Sequence, residues 1–483
     1  MPDAAATLPY LGALYALGAA LYILSENRRP QSSFAWLFLF LTLPVAGLVI
    51  YVLFGRLRGG VGRTRTLTRH GLPEHLADTL KRVRAEHERA LAGLAARPRP
   101  RDRLARLVHA SAQAHATTSN RVEVLQDAAE TYPRLMDDLR GARSTIHLQY
   151  YSWARDAVTA ELEAILAERA AAGVAVRLLY DPVGSIGAWG PRRRRALRGQ
   201  GIDARPFSPL WRVHTISYRN HRKIAVIDGR VGFTGGLNIG AEHLDPGPGF
   251  ARWRDTHLRL EGSAALALQG VFAVDWTNAT RGRLMDPDCF PPVPAALGRS
   301  DLPVQLCLSG PDSQWRAIRQ QYFAMILGAR ERVRVQTPFF LLDETVMEAL
   351  KAAALAGIDV AVMISARGPG QYLPYWAANT YMAEAAEAGV EILLYERGYL
   401  HAKTVAVDGE VASVGSGNWD IRSFSINYEL NALVYDAGVA GALEAAFDRD
   451  RAGCRRFDAR AYREAPRARR LRDSAARLVS PLM

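Results

Sequence analysis

Two stretches of equal length decide the fold: HRKIAVIDGRVGFTGGLN at residues 221–238 and HAKTVAVDGEVASVGSGN at residues 401–418. Both stretches contain the pattern HxKxxxxD, which these residues form: His221, Lys223, Asp228, His401, Lys403 and Asp408. Small residues and an asparagine, Asn238 or Asn418, follow each pattern at the same distances. One such match arises easily by chance, but two matches in register indicate a duplicated functional unit.

Lysine usage supports a functional role for these stretches. The chain has 61 basic residues, and nearly all of them are arginine, since lysine occurs only at Lys81, Lys223, Lys351 and Lys403. Arginine presents a rigid planar fork, whereas lysine is a compact charge on a flexible stem, so the two are not equivalent around a small anion. The two lysines inside the repeated pattern therefore predict a phosphate-sized site rather than a solvated strand edge.

The pattern also predicts local geometry. Each copy begins with a short apolar run that ends at Asp-Gly, which is typical of a strand followed by a tight turn. Strand alternation then places the histidine and the lysine of one copy on the same face. A second strand follows and ends in small residues that let a ligand approach the backbone. We expect the two copies to face each other and to form one pocket with two histidines, two lysines and two asparagines.

Other segments repeat with a nearly constant offset. TIHLQYY at 145–151 corresponds to RVRVQ at 332–336, and VAVRLLY at 174–180 corresponds to IDVAVMI at 358–364. Alanine-rich helical segments lie between these apolar runs. This alternation predicts an α/β protein built from two similar units, which we place at residues 118–290 and 300–483.

Composition limits the class of protein. The chain has 483 residues, of which 49% are hydrophobic and 23% charged, as expected for a globular protein of more than one domain. A formal charge of +13 favours an anionic partner, either a nucleic acid or an acidic lipid surface. Cys289, Cys307 and Cys454 are odd in number and lack metal-ligand spacing, so we expect no disulfide framework, metal or cofactor.

The amino terminus contains two apolar runs, at about 8–24 and 34–54, separated by SENRRPQSS. Their length predicts a transmembrane hairpin over residues 1–54. A cleaved signal peptide lacks support because no positive region precedes the first run, and two long runs argue against a buried core helix. Arginines crowd the exit of the second run, which predicts cytoplasmic catalytic units. Residues 55–117 are predicted to form a basic helical linker.

From about residue 122 to the carboxyl end, the chain resembles the phospholipase D superfamily, whose members carry two HxKxxxxD motifs. The resemblance implies α/β/α units with mixed sheets packed face to face. It also implies that one of His221 and His401 attacks phosphorus to form a phosphohistidine, and it favours His221 for that step. The other histidine would act as general acid and then general base.

The resemblance assigns further roles. Lysines, asparagines and a serine are expected to hold the phosphate oxygens: Lys223, Lys403, Asn238, Ser416 and Asn418. Asp255 in WRDTH and Glu429 in NYELN resemble the acids that hydrogen-bond the catalytic imidazoles. We group Asp228 and Asp408 with the catalytic residues, although fixing the strand and its turn would explain them equally well.

Within the superfamily, the chain resembles the bacterial cardiolipin synthases of the phospholipase D type. The resemblance rests on the two amino-terminal spans, RRP at 28–30, GGLNIGAEHL at 235–244, WRDTHLRLEG at 253–262 and RLVSPL at 477–482. It implies condensation of two phosphatidylglycerol molecules into cardiolipin and glycerol, without nucleic acid, at the inner membrane as a multi-pass protein. Phosphatidylserine synthesis, lipid hydrolysis, a tethered nuclease and a non-catalytic basic protein remain alternatives.

Two arginine-rich segments fit an acidic lipid but do not prove one. Residues 192–195 either lie against anionic head groups or form an ordinary solvated helix face. The tail at 455–482 is expected either to form an amphipathic surface helix or to cap the second unit.

Overall fold

The computed structural model describes residues 4–26, 30–51, 74–99, 101–212, 215–247, 249–292, 301–370 and 372–480. The helices are α1 (Ala4–Ser25), α2 (Pro30–Thr42), α3 (Pro44–Ile50), α4 (Glu74–Ala95), α5 (Asp102–Ala112), α6 (Asp127–Arg140), α7 (Ala157–Ala171), α8 (Pro191–Gly199), α9 (Ser263–Thr280), α10 (Ala317–Leu327), α11 (Glu344–Leu355), α12 (Leu373–Glu387), α13 (Ile421–Ser425), α14 (Ala437–Arg451), α15 (Ala459–Glu464) and α16 (Arg467–Leu478). The strands are β1 (Ala116–Thr117), β2 (Asn120–Gln126), β3 (Thr145–Tyr150), β4 (Ala175–Tyr180), β5 (Ile202–Pro206), β6 (Ile224–Ile227), β7 (Val231–Gly235), β8 (Trp253–Arg254), β9 (Thr256–Gly262), β10 (Val304–Ser309), β11 (Arg332–Thr337), β12 (Phe340–Leu341), β13 (Asp359–Ser365), β14 (Glu391–Tyr395), β15 (Tyr399–Leu400), β16 (Thr404–Val407), β17 (Val411–Gly415), β18 (Trp419–Asp420), β19 (Glu429–Val434) and β20 (Cys454–Arg456).

The chain divides into two compact units. The first unit comprises Met1–Arg63 and Leu210–Ser217, and the second comprises Thr64–Pro209 and Tyr218–Met483. In the first unit, Ile23, Phe40 and Tyr51 form a small buried cluster.

The second predicted span is not one continuous helix. It is divided at Leu43 into α2 and α3, and Pro44 begins α3 because proline fits the first turn of a helix but not its interior. Residues 52–54 of that span lie outside the described residues. Among the helices that the structure describes, none is both long enough and apolar enough to cross a membrane.

The second unit contains a seven-stranded mixed sheet in the order β2-β9-β7-β6-β3-β4-β5. Strands β3, β4 and β5 run parallel, and their connections are the helices α7 and α8. The remaining neighbours are antiparallel, including the β6–β7 hairpin at the first HxKxxxxD motif.

A nine-stranded sheet repeats this plan. Its order is β1-β10-β19-β17-β16-β11-β13-β14-β20, and the seven inner strands follow the connectivity of the first sheet strand for strand. Short strands β1 and β20 extend its two edges. The prediction of an α/β fold with two similar mixed-sheet domains is therefore confirmed.

The two sheets pack against each other through aliphatic side chains. Ile224, Val226 and Leu258 of the first sheet share a buried cluster with Val414 and Ala432 of the second, and α9 and α14 contribute to the same cluster. Helices α6 and α7 cover the other face of the first sheet, and α10, α11 and α12 cover that of the second. Strands such as β6 (IAVI) and β16 (TVAV) are near-continuous apolar runs, as expected of strands that are covered on both faces.

The region predicted as a linker packs into the second half of the duplication. Leu91 and Leu94 of α4 and Val108 of α5 are buried in the same core as α10 and α11. The carboxyl tail also packs closely, since Asn379 of α12 donates to Asp473 of α16 at 3.0 Å and Arg477 lies over the Tyr381 ring. The carboxyl tail therefore caps the second half of the duplication, which is one of the two alternatives predicted for it.

Candidate active site

The two repeated motifs lie at corresponding ends of the two sheets. His221 and Lys223 immediately precede β6, at the edge where the carboxyl end of β3 lies, since Ile224 pairs with Gln149. His401 and Lys403 immediately precede β16, and Thr404 pairs with Gln336 of β11 in the same way. The duplicated topology thus gives both motifs the same environment.

Short strands cross between the halves at this edge. The backbone N–H of His221 donates to the carbonyl of Tyr428 at 2.9 Å, and Asn220 forms a parallel bridge with Tyr428. The backbone N–H of His401 donates to the carbonyl of Arg254 at 2.7 Å, where β15 pairs with β8. Each histidine is therefore fixed to a segment of the other half.

Those same segments carry the acids. His221 Nδ1 lies 3.0 Å from Glu429 Oε2, and His401 Nδ1 lies 2.7 Å from Asp255 Oδ2. Each imidazole thus comes from one half and its carboxylate from the other. Because a carboxylate only accepts hydrogen bonds, Nδ1 carries the proton and Nε2 of the neutral ring keeps a lone pair.

The lysines lie beneath the histidines and are fully buried. Lys223 Nζ donates to the His221 carbonyl at 2.7 Å, and Lys403 Nζ donates to the His401 carbonyl. Burial lowers the pKa of both histidines, and the charges of both lysines lower it further. Burial also lowers the pKa of Lys403 to about 8. Since each lysine acts on both imidazoles, and His221 acts on His401, the two motifs form one cationic site.

The two carboxylates differ in their surroundings. Glu429 accepts hydrogen bonds from the hydroxyls of Ser416 at 2.5 Å and Ser423 at 2.8 Å, as well as from His221. Although burial alone would raise the pKa of Glu429, His221, Lys223 and Ser416 lower it below its ordinary value. Glu429 is therefore held as an anion.

Asp255 occupies the corresponding place in the other half, and there burial raises its pKa. Its carboxylate lies against the backbone of Gly236, where a Cβ atom would collide with Oδ1. The Gly-Gly of the first copy, in place of Gly-Ser in the second, is explained by this close approach. The Ser416 hydroxyl, in turn, is one of the groups that hold Glu429.

The predicted phosphate ligands occupy different positions. Asn238 and Asn418 follow β7 and β17 at the site edge and are nearly buried. The Asn238 amide oxygen accepts from the Ser152 N–H at 3.3 Å, whereas Asn418 Oδ1 is buried without a hydrogen-bond partner in the described residues. Ser416 is fully buried, and because its hydroxyl bonds to Glu429, the structure does not present it to a ligand.

Asp228 and Asp408 do not lie with the histidines. Each occupies the turn at the far end of β6 or β16, about 20 Å along the strand from the histidine of its copy. Both adopt left-handed backbone angles, with φ of 52° and 54°, as do Gly229 and Gly409 after them, in the three-residue loop that joins each pair of strands.

The carboxylates of these two residues bind backbone N–H groups. Asp228 accepts from Arg143, Ser144 and Thr145 at the start of β3. Asp408 accepts from residues 330–332 in the same manner and from the Arg101 guanidinium at 2.6 Å. This geometry corrects their grouping with the catalytic residues, because their bonds hold strands together and reach no part of the histidine site.

Sequence reasoning missed several neighbours of the site. Aromatic rings flank the imidazoles: Tyr151 lies 5.0 Å from the His221 ring, and Trp253 and Tyr399 lie 5.5 and 5.6 Å from the His401 ring. Buried ion pairs, Arg222 with Asp275 at 2.7 Å and Arg254 with Asp450 at 2.6 Å, support the crossing segments. Gln149 and Gln336, which occupy matching positions in the two repeats, donate hydrogen bonds to these two aspartates. The recurrence of these glutamines was the only feature of the sequence that pointed to the ion pairs.

The arrangement is suited to chemistry on a phosphodiester. Two imidazoles with free Nε2 atoms supply a nucleophile and a general acid or base. Two buried ammonium groups supply charge for oxygens that become more negative in the transition state. Within the part of the chain that the structure describes, no group of histidine, cysteine and carboxylate side chains is arranged to hold a metal ion.

Comparisons with known proteins agree with this geometry. A family model described as "Cardiolipin synthase, PLD-like domain" matches residues 135–246 and 322–451, and one described as "Phospholipase_D-nuclease N-terminal" matches residues 13–56. The chain is 38% identical to the "Cardiolipin synthase" of Geobacillus kaustophilus (strain HTA426) over 469 residues, covering 96% of this chain and 91% of the relative.

Two further relatives extend the comparison. The chain is 35% identical to the "Major cardiolipin synthase ClsA" of Bacillus subtilis (strain 168) over 474 residues, covering 96% of each chain. The solved structure of a phosphatidylserine synthase from Haemophilus influenzae Rd KW20 is 14% identical, with a TM-score of 0.59, covering 75% of this chain and 95% of that one, and it supports the fold alone. The chain belongs to the cardiolipin synthase family of phospholipase D-like proteins.

Proposed function

We propose that this protein is a phosphatidyltransferase that condenses two phosphatidylglycerol molecules into cardiolipin and free glycerol. The observation that carries the proposal is the pair of imidazoles from opposite halves, each bonded to a carboxylate of the other half over shared lysines. Relatives that are named cardiolipin synthases and match nearly the whole chain support the same activity. The enzyme is a phospholipase D-type transferase, and the substrate is an anionic phospholipid.

The first half-reaction transfers the phosphatidyl group to the protein. Nε2 of one imidazole attacks the phosphorus of phosphatidylglycerol while the bond from phosphorus to the headgroup glycerol oxygen breaks. The other imidazole, protonated at Nε2, gives its proton to that oxygen, and glycerol leaves. The phosphodiester brings a negative charge that opposes the lysines, which raises the pKa of the protonated imidazole relative to the empty site.

The second half-reaction regenerates the histidine. The imidazole that gave up its proton now accepts one from the headgroup hydroxyl of a second phosphatidylglycerol. That oxygen attacks phosphorus, the phosphorus–nitrogen bond breaks, and cardiolipin leaves. The carboxylates Glu429 and Asp255 hold each ring in the tautomer that presents Nε2. Lys223 and Lys403, with Asn238 and Asn418, hold the nonbridging oxygens. Ser416 binds Glu429 and so acts on His221 rather than on the phosphate.

The amino-terminal sequence supports a membrane anchor. We propose that α1 and the α2–α3 segment form a multi-pass hairpin in the bacterial cytoplasmic membrane, with the catalytic domains, at about 118–290 and 300–483, on the cytoplasmic side. The support is the pair of apolar runs, the arginines that follow them and the family match at residues 13–56. An anchor confines the site to lipid and so favours a lipid acceptor over water.

Product analysis tests the proposal. Purified protein in detergent with phosphatidylglycerol should form cardiolipin and release one glycerol for each, and His221→Ala or His401→Ala should abolish both products. Phosphatidic acid as the only product would show a hydrolase, and transfer to added serine in preference to lipid would show a phosphatidylserine synthase. Cleavage of DNA without lipid turnover would show a nuclease. Full turnover in both histidine variants would overturn the catalytic assignment.

A further inference from the structure

Large apolar side chains project into solvent from the loops around the candidate site. Ile186 follows β4, Leu244 follows β7, Trp315 follows β10 and Tyr372 follows β13, and between 48% and 74% of the surface of each is exposed. All four loops start at the carboxyl ends of their strands, the edge where both histidines lie. A single exposed apolar residue is ordinary, but four in the loops at one edge of the two sheets are not.

Contacts join these loops to the site on both sides. In the loop of Ile186, Gly184 lies against Tyr151, the ring next to His221. In the loop of Trp315, Gly310 lies against Tyr428, whose carbonyl binds the His221 N–H.

The other two loops meet across the halves of the protein. Arg367, in the loop of Tyr372, donates to the Gly249 carbonyl and lies over the Phe250 ring in the loop of Leu244. Phe250 in turn lies 5.9 Å from Tyr399, which flanks His401. The exposed side chains therefore belong to one rim around the site rather than to scattered loops.

Charge indicates what covers this rim. Arg155, Arg192, Arg252 and Arg367 are exposed on these loops or beside them, and Arg252 is paired with Asp127. The carboxylates of Asp245 and Glu242 are exposed on the described residues of the same loops. Tryptophan and tyrosine side chains mixed with cations are typical of surfaces that lie in the headgroup layer of an anionic bilayer. A protein partner would not require this excess of positive charge.

We propose that Ile186, Leu244, Trp315 and Tyr372 form an interfacial rim that enters the headgroup layer of an anionic phospholipid bilayer. The rim brings the mouth of the site to the depth of the lipid phosphate, so that a lipid reaches the histidines without leaving the membrane. This inference rests on the proposed function for its substrate but not for its measurement. Leu355, 76% exposed at the carboxyl end of α11 on the opposite edge of the second sheet, provides a matched control.

Depth-dependent quenching tests the rim directly. The full chain, with Cys454→Ser, receives one cysteine by Ile186→Cys, Tyr372→Cys or Leu355→Cys, is labelled with an environment-sensitive fluorophore and is placed in phosphatidylglycerol nanodiscs. Brominated lipid should quench the probes at 186 and 372 at least twofold more strongly than the probe at 355. Equal quenching at all three positions, or none at 186 and 372, would overturn the proposal.

Turnover provides a second, separate measurement. The variant Ile186→Ser/Tyr372→Ser should lose about tenfold of its rate on phosphatidylglycerol in vesicles while keeping its rate on a short-chain, monomeric phosphatidylglycerol. Leu355→Ser should change neither rate. An equal loss on both substrates would contradict the rim. If neither the wild-type protein nor any variant turns over lipid, but the probes at 186 and 372 are still quenched, the proposed function is wrong and the interfacial rim is still supported.

Discussion

Glu429→Gln perturbs one histidine of the site without changing its shape. The carboxylate of Glu429 is fully buried and accepts from His221, Ser416 and Ser423. Glutamine fits the same space, but its NH₂ group faces a donor, so at least one of the three hydrogen bonds is lost. A hydrogen bond to a charged group contributes about 1.5–3 kcal/mol, which corresponds to a loss of about 10- to 150-fold in rate.

The pH dependence should change as well. Burial lowers the pKa of His221, and the charge of Glu429 is the main influence that raises it. Removing that charge lowers the pKa of His221 further, so the limb of the kcat/KM profile that reports protonation of His221 should move to lower pH. The assay is glycerol release from phosphatidylglycerol in detergent micelles between pH 5 and 9, with buffers of constant ionic strength.

A neighbouring residue provides the control. The Asn427 amide lies 3.4 Å from the same carboxylate, at the limit of a hydrogen bond, so Asn427→Ala should reduce the rate only a few-fold. Asp255→Asn should reduce the rate through His401 as Glu429→Gln does through His221. Glu429→Gln protein that folds normally and keeps the wild-type rate and pH profile would refute the role of this carboxylate in orienting His221.

Four further predictions concern other parts of the structure. Ser416→Ala should lower kcat about tenfold with KM unchanged, because the hydroxyl binds Glu429, whereas a raised KM with kcat unchanged would indicate a phosphate contact. Lys403→Met should cost about 2.7–4 kcal/mol of transition-state stabilisation, measured as kcat/KM, and in the wild type kcat/KM should fall above about pH 8 as Lys403 loses its proton. Asp408→Asn should lower the free energy of unfolding by about 2 kcal/mol in urea titrations while the folded protein keeps its kcat, and a kcat loss without destabilisation would contradict this. Burial lowers the pKa of His147 to about 3, so the fold holds its neutral form, and His147 should contribute a fall in stability of about 1.4 kcal/mol per pH unit as the pH falls from about 6.5 towards 3; His147→Gln should show a shallower fall, and an equal slope would exclude this contribution.

The sequence predicted the architecture because duplication is visible in one chain. Apolar runs such as 174–180 and 358–364 recur in the same order in the two halves of the chain. Because segments that recur in the same order are expected to fold alike, each half should form the same sheet. The edge strands β1 and β20 could not be predicted, since strands of two or three residues have no periodicity to detect. The buried face of α4 and α5 was also missed, because the arginines around Leu91 and Val108 made the segment resemble a solvated linker.

The residue types of the site were visible in the sequence, but their pairing was not. Asp255 follows His221 in the chain and Glu429 follows His401, so sequence order gives no indication that each acid binds the histidine of the other half. That exchange depends on short crossing segments, which are β8 with β15 for His401 and the Asn220–Tyr428 bridge for His221. Ser416 was assigned to phosphate for a related reason, since whether its hydroxyl points to a ligand or to Glu429 depends on the pleat at a strand end.

The aspartates of the two motifs show a second reason why the roles of site residues could not be predicted from the sequence. Asp228 and Asp408 recur with the histidines, and recurrence alone does not separate residues that react from residues that hold the strand. Only the structure shows that their carboxylates bind the backbone at the opposite end of the hairpin.

The most direct measurement of the central claim is the location of the covalent intermediate. Protein mixed with radiolabelled phosphatidylglycerol is quenched in alkali within one turnover, digested and sequenced by mass spectrometry. The predicted result is a phosphatidyl group on the imidazole of His221 or His401. When the opposite histidine is replaced by alanine, we expect the group either to be absent or to remain trapped on the first histidine without turnover. Label on a serine or lysine, or turnover with no covalent intermediate at either histidine, would contradict the account.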